Sequence, residues 1–194
     1  MKSLRNTPAS DDALLDAARQ SLLALGWRRT TLTEVARRAG VSRMTMYRRW
    51  PDMQTLMADL MTREWSSIGV DSDLLAGEDP SPDMIGAAVV QGACALRSNP
   101  LFHKIVDVDP ELLLTYLIDR RGRTQDALLE VLEAGITTGQ ASGSIRRADA
   151  KVMARSIVLA VHGFVISADT MTDAGSVEQL ADELRRMLEG YLRP

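Results

Sequence analysis

The sequence predicts an all-α fold, and three observations carry that prediction. Apolar residues recur at helical spacing along most of the chain. Four prolines directly follow a residue that can cap a helix, and three of them, Pro82, Pro100 and Pro110, mark expected helix starts because proline is favoured at the first helical position. No segment alternates apolar and polar residues between hairpin turns, as half-buried strands do.

Composition places the chain among ordinary folded proteins. It has 194 residues, of which 45% are hydrophobic and 25% charged. The single cysteine, Cys94, excludes an intramolecular disulfide framework and any cysteine-cluster metal site. The longest apolar run, residues 152–168, is interrupted by Arg155 and His162, and a membrane span needs about 20 apolar residues. Two aspartates stand where a signal peptide needs an apolar core, so we expect a cytoplasmic protein without a membrane partner.

The net charge of −3 hides an asymmetry between the two parts of the chain. Residues 1–50 hold ten Lys/Arg against four Asp/Glu, a net charge of +6, whereas residues 51–194 carry −9. A basic segment on an acidic remainder suggests that the first part meets a polyanion such as nucleic acid. A chance excess of solvated arginines is the alternative.

The first predicted helix covers residues 10–25. Ser10 can cap its start, two aspartates favour its positive end, and Gly26 can close it. Its apolar stripe consists of Leu14, Ala18, Leu22 and Leu25.

Residues 31–50 have the pattern of a helix-turn-helix. Thr31 and Glu34 have the spacing of a capping box, in which the glutamate side chain reaches back to the cap. Gly40 suits the left-handed conformation of a tight turn. Ser42 can cap a second short helix, in which Met46 and Trp50 share a side.

A DNA-binding helix-turn-helix lays its second helix in the major groove, so the outward residues of that helix are candidate DNA contacts. Arginine suits guanine, a threonine or methionine methyl suits thymine, and hydroxyl groups suit phosphate. A helical hairpin that binds nothing is the alternative. The candidate contacts are Thr31, Thr33, Arg43, Met44, Thr45, Tyr47, Arg48 and Arg49.

The remainder of the chain is predicted to contain further helices. An acidic loop at residues 69–81 precedes helices near 82–98, 100–106 and 110–139, the last with a possible kink at Gly122. After another loop come a nearly all-apolar helix, about 148–169, and an amphipathic one, about 176–192.

Residues 32–50, L-T-E-V-A-R-R-A-G-V-S-R-M-T-M-Y-R-R-W, closely resemble the tetracycline-repressor (TetR/AcrR) family of transcriptional regulators. The strong likeness covers residues 10–65. The family usually has glycine at Met44, histidine at Arg49, phenylalanine at Trp50 and a phosphate-gripping lysine at Met53. The last departure puts one expected phosphate contact in question, and Arg48 and Arg49 are the alternative cations for that contact.

The resemblance implies an all-α protein of about nine helices with three parts. Residues 1–50 would form the three-helix DNA-binding domain, 51–68 a connecting fourth helix, and 69–194 a regulatory and dimerisation domain. The implied partners are double-stranded operator DNA, a small-molecule inducer and a second copy of the chain, and no cofactor is expected. The implied activity is a ligand-responsive regulator, a repressor that leaves a palindromic operator when a small apolar or amphipathic molecule binds.

The implied inducer pocket lies among the central helices. Methionine at helical spacing is also typical of an ordinary core, which is the alternative for each methionine in the set. The candidates are Met57, Met61, Trp65, Met84, Cys94, Phe102, His103, Tyr116 and Phe164.

A helix that is apolar all round must be covered all round, so the helix at 148–169 needs a partner beyond its own core. With the final amphipathic helix it can form a four-helix bundle with a second copy, Gly163 permitting close approach. A monomer that buries the helix entirely is the alternative. The expected interface residues are Ile157, Val161, Phe164, Val165, Leu180, Leu184, Met187 and Tyr191.

No metal site and no catalytic residue is expected. The two histidines, His103 and His162, lack a convincing neighbouring ligand, and Cys94 lies in an apolar stretch typical of a core thiol. The competing hypotheses are an all-α enzyme with a nucleic-acid-binding head and a helical adaptor that only dimerises. The enzyme lacks support in the sequence, which has no phosphate-binding glycine loop, zinc-binding helix or serine elbow.

Overall fold

The computed structural model describes residues 10–66, 68 and 80–194, so most of the loop expected at 69–81 lies outside the described residues. The described part contains no strand, and the all-α prediction is confirmed. It forms ten α-helices: α1 Asp11–Leu25, α2 Leu32–Ala39, α3 Arg43–Arg49, α4 Met53–Ser66, α5 Pro82–Arg97, α6 Pro100–Val108, α7 Glu111–Leu114, α8 Arg123–Ser142, α9 Ala150–Ser167 and α10 Val177–Leu192.

The predicted caps set several of these boundaries. The Ser10 hydroxyl accepts the N–H of Ala13 at the start of α1, and Gly26 ends that helix with a φ of 79°. Ser81 caps α5, with Pro82 in the first turn. These local signals place the helix ends within one or two residues of the predicted positions.

One helix prediction was wrong. The continuous helix expected at 110–139 is interrupted, because α7 passes into a π-helical turn at Thr115–Asp119 and the chain becomes extended at Arg120. Gly122 is the N-cap of α8 rather than a kink, and its N–H donates to the side-chain oxygen of Gln125 at 2.7 Å. This cap starts a new helix after the break.

The chain divides into two compact units. The described residues within 1–64 and 100–120 form the head unit, and those within 65–99 and 121–194 form the body unit. In the head unit α1 packs on α2 and on α6, and α2 packs on α3. Segment 100–120, which the sequence analysis assigned to the regulatory domain, therefore packs with the DNA-binding helices.

In the body unit α5 packs on α10 and α9, and α8 packs on α9. A Cβ atom at Gly139 would lie 2.5 Å from the Ile145 side chain, so the glycine is needed for this close approach. The segment Ala150–Met171 is long and apolar enough to pass a composition test for a membrane span, with a mean hydropathy of 1.5. Core helices of soluble proteins pass the same test.

Candidate nucleic-acid interface

Two hydrogen bonds and one glycine conformation build the turn of the helix-turn-helix. The Thr31 hydroxyl accepts the Glu34 N–H at 3.2 Å, Gly40 is left-handed with a φ of 67°, and the Ser42 hydroxyl accepts the Thr45 N–H at 3.1 Å. The predicted backward reach of Glu34 is replaced by an ion pair. Its carboxylate binds the Arg37 guanidinium through two contacts of 2.8 and 2.9 Å, which hold the pKa of Glu34 below its usual value.

The inner side of α3 is fixed against the head unit. Met46 is fully buried, and Trp50, at the end of α3, is 3% exposed. The Trp50 indole N–H donates to the Asp59 carboxylate of α4 at 2.8 Å. Burial and this hydrogen bond together hold the helix in one orientation.

The outer side of α3 is exposed and carries unpaired positive charge. Met44 is 76% exposed and Tyr47 is 51% exposed. Arg43 and Arg48 are also exposed, and neither makes an ion pair with any described residue. Thr45 is half-buried and its hydroxyl lies 2.9 Å from that of Ser42. An exposed apolar and cationic helix face suits base edges and phosphates.

The other three predicted contacts are less available to DNA. The Arg49 guanidinium forms an ion pair with Asp11 of α1. Thr33 is half-buried, whereas Thr31 is exposed but uses its hydroxyl in the cap. Arg37 and Arg49 are therefore held in ion pairs, whereas Arg43 and Arg48 of α3 form none with any described residue.

The start of α4 is acidic where the resemblance implies a basic contact. The Asp52 carboxylate accepts hydrogen bonds from the Thr55 N–H at 2.7 Å and hydroxyl at 2.9 Å. These bonds hold the pKa of Asp52 below its usual value, so the group is a carboxylate at neutral pH. Next to it stands Met53, half-buried, in place of the family's lysine.

A contact that sequence reasoning missed joins α6 to the turn after α1. Asp109 is 2% exposed, and its carboxylate accepts the backbone N–H of Trp27 at 2.7 Å. Glycine suits the position before it, because Gly26 has a φ of 79° and a Cβ atom there would lie only 3.1 Å from the same carboxylate oxygen. The sequence signal at Asp109 was only that of a cap before Pro110.

A second ion pair accompanies this contact. The Arg28 guanidinium lies 2.8 Å from the Glu111 carboxylate and 3.8 Å from that of Asp109. A backbone hydrogen bond and the Arg28 contact together lower the pKa of Glu111. The turn at 26–28 is therefore held by residues 109–111 within the head unit.

The predicted pocket residues fall in both units. Those in the head unit are buried Met57, Met61 and Phe102, half-buried Tyr116 and exposed His103. Those in the body unit are all half-buried: Trp65, Met84, Cys94 and Phe164. The exposure of His103 makes it the least suitable member of the set.

The remaining titratable candidates have ordinary structural surroundings. Partial burial raises the pKa of the Cys94 thiol, which favours the protonated form. Partial burial lowers the pKa of His162, whose Nε2 lies 3.1 Å from the Gln125 side-chain nitrogen. Within the described residues, no three His, Cys, Asp or Glu side chains are grouped so that they could hold a metal ion.

Four of the eight predicted interface residues are buried inside the body unit. Ile157, Val161 and Val165 of α9 and Leu184 of α10 are buried in the chain's own core. Phe164, Leu180 and Tyr191 are half-buried, and Met187 is 66% exposed. The large apolar residues that α9 does expose stand seven apart on its other side: Val152, Leu159 and Ile166.

The sequence comparisons agree with this geometry. The family model described as "Bacterial regulatory proteins, tetR family" matches residues 14–60 of the chain. An uncharacterised helix-turn-helix-type transcriptional regulator of Mycobacterium bovis is 36% identical over 193 residues, which cover 99% of this chain and 100% of that protein. The chain belongs to the tetracycline-repressor (TetR) family of bacterial transcriptional regulators, as the resemblance indicated. The match supports the regulator and not the enzyme alternative.

Solved structures with low identity share the fold. SmeT, the repressor of the Stenotrophomonas maltophilia multidrug efflux pump SmeDEF, superposes with a TM-score of 0.70 and 20% identity, over 96% of this chain and 91% of SmeT. A SmeT–triclosan complex has also been solved. FadR of Bacillus subtilis, solved with stearoyl-CoA, superposes with a TM-score of 0.68 and 14% identity, over 95% of this chain and 100% of FadR.

Proposed function

We propose that this protein is a cytoplasmic, homodimeric repressor that binds a pseudo-palindromic operator and leaves it when a small apolar or amphipathic molecule binds. The observation that carries the proposal is the asymmetry of α3. Its inner side is fixed by Met46 and Trp50, while its outer side exposes unpaired Arg43 and Arg48. A helix held in this way can enter the major groove with its cations directed at the DNA.

Within α3 we assign different roles to different residues. Arg43, in the first turn, suits the O6/N7 edge of guanine, because the guanidinium can donate two parallel hydrogen bonds. Tyr47 and Arg48 suit phosphate oxygens, which position the helix without reading sequence. Met44 offers an apolar surface to a thymine methyl group.

A second copy of the chain is the proposed occupant of the exposed side of α9. Val152, Leu159 and Ile166 form an apolar stripe, and a Cβ atom at Gly163 would meet nothing within 4 Å. Met187 adds exposed apolar surface on α10. A two-fold dimer also suits operator reading, because two recognition helices need about 34–36 Å between successive major grooves.

The proposed ligand class rests on the likeness to SmeT and FadR. Triclosan and stearoyl-CoA, the ligands of those structures, are apolar and amphipathic. The buried methionines of α4, Met57 and Met61, are the kind of adaptable surface that such molecules fill.

The chain passes between the units at residues 64–65 inside α4, and again at 99–100 and 120–121. A ligand signal therefore has two routes to the head unit: the first is α4, and the second is segment 100–120. The second route leads to Asp109, which holds the turn at Trp27. A ligand acts only through different affinities for two arrangements, and a coupling of about 1–3 kcal/mol is typical.

Operator selection from random duplexes, followed by fluorescence anisotropy with a panel of apolar and amphipathic compounds, tests the proposal. We expect a pseudo-palindromic site and a compound that lowers operator affinity about 5- to 150-fold. Failure to select any preferred duplex contradicts the proposal.

Sedimentation tests the dimer. Leu159→Glu should dissociate it, because a carboxylate would be buried between the two copies. Ile118→Glu, at a residue 75% exposed in the head unit, is the matched control and should leave the dimer intact. A monomeric wild-type chain, or a Leu159→Glu variant that stays dimeric, contradicts the assigned interface.

A further inference from the structure

The indole N–H of Trp65 is enclosed and unpaired. Among the described residues, its Nε1 is the one buried side-chain nitrogen or oxygen without a hydrogen-bond partner. Leaving a buried donor unsatisfied costs about 1–3 kcal/mol, so native proteins rarely tolerate one without a reason. The same chain provides an acceptor for another indole, since Trp50 donates to Asp59 at 2.8 Å.

Trp65 lies at a position where a ligand can influence the head. It is the penultimate residue of α4, one turn after buried Met61. The same helix carries Asp59, the acceptor that fixes the end of α3. A contact made at Trp65 therefore bears on the helix that supports the DNA-binding surface.

An acceptor oxygen supplied by a bound molecule would pair the N–H and remove this cost. A trapped water is the competing occupant, and it would need two to four polar partners around the indole.

We propose that the Trp65 indole N–H donates a hydrogen bond to an oxygen of the regulatory ligand. This inference rests on the proposed function, and it narrows the ligand class. The ligand is an apolar molecule that carries a carbonyl, carboxylate or ether oxygen, and not a pure hydrocarbon. The indole N–H discriminates between these two kinds of molecule, because only the one that carries an oxygen can accept its hydrogen bond.

Matched pairs of compounds test the proposal on the full-length protein. The probes are fatty-acid methyl esters with chains of 8–18 carbons and n-alkanes of equal length, assayed by displacement of the protein from its selected operator. The wild type should respond to an ester at a several-fold lower concentration than to the matching alkane.

Removing the N–H should abolish that preference. With Trp65→Phe, and with benzothienylalanine at position 65, which keeps the bicyclic shape without the N–H, we expect ester affinity to fall about 3- to 10-fold, in line with the net value of one hydrogen bond. Alkane affinity should change less than about twofold for the benzothienylalanine protein. Trp27→Phe, which keeps the backbone N–H bound to Asp109, is the matched control.

The outcomes separate the two claims. Equal losses for ester and alkane, or no ester preference in the wild type, overturn the hydrogen bond and leave the repressor function standing. No displacement by any compound bearing an acceptor oxygen overturns the proposed ligand response, and this inference with it.

Discussion

The carboxylate of Asp109 accepts the backbone N–H of Trp27 at 2.7 Å, across 82 residues of sequence. The carboxylate is buried, and the turn that it holds joins α1 to the helix-turn-helix. A hydrogen bond to a charged acceptor is about twice as strong as a neutral one. This contact makes α6 part of the DNA-binding unit.

Asp109→Ala should lower the free energy of unfolding by about 1.5–3 kcal/mol, because it leaves the Trp27 N–H buried without an acceptor. Asp109→Asn keeps an acceptor oxygen and should cost clearly less. Urea denaturation measures both.

Glu111→Gln is the control for this prediction, since it removes a charge from an exposed ion pair with the same turn. Its effect should be small. An Asp109→Ala variant as stable as the Glu111→Gln variant would show that the buried contact contributes nothing.

Arg43→Ala should relax base preference at one position of each half-site and cost about 1–3 kcal/mol there, because a bidentate guanine contact is lost. Tyr47→Phe should weaken all sequences alike, since its hydroxyl is assigned to phosphate. Binding to a library of single-base operator variants distinguishes them. Identical sequence profiles for the two variants would refute the division into base reader and backbone anchor.

Met53→Lys should raise operator affinity by restoring the phosphate contact that the family usually has. The log–log salt dependence should become steeper by about 0.9 for each phosphate gained. Gln54→Lys adds the same charge at the neighbouring exposed position and is the matched control. Equal gains from both variants would mean that only net charge matters.

Stability should fall as the pH drops from about 7 toward 5.5, and His162 should be one cause. Burial lowers the pKa of His162 below its usual value of 6.5, so in this interval the unfolded chain binds the proton more readily than the folded one. The stability contributed by neutral His162 is thus present at high pH and is lost as the pH falls. His162→Gln should flatten this part of the profile in thermal melts, with exposed His103→Gln as the control for removing an imidazole. An unchanged slope in His162→Gln would contradict the assignment.

The helix-turn-helix could be predicted because its signals are local. Thr31, Gly40 and Ser42 each act within three or four residues of their own position, and all three are confirmed. The predicted reach of Glu34 failed because Arg37, one turn along the helix, competes for the carboxylate.

The missed features are long-range. Nothing local in the sequence links Asp109 to Trp27, so the grouping of segment 100–120 with the first three helices could not be predicted. A helix that is apolar on every side also gives no periodic signal for its inner face, so the sequence did not separate Ile157 and Val161, which are buried, from Val152 and Leu159, which are exposed.

The salt dependence of operator binding tests the central claim most directly. The claim is that unpaired arginines on α3, in a segment with a net charge of +6, bind DNA phosphates and bases. Each phosphate neutralised contributes about −0.9 to the slope of log K against log salt, so a dimer with several contacts should give a slope steeper than about −4. Anisotropy titrations of the selected operator between 50 and 300 mM salt, roughly the range over which such contacts are screened, measure it. A slope near zero on that operator would contradict the account.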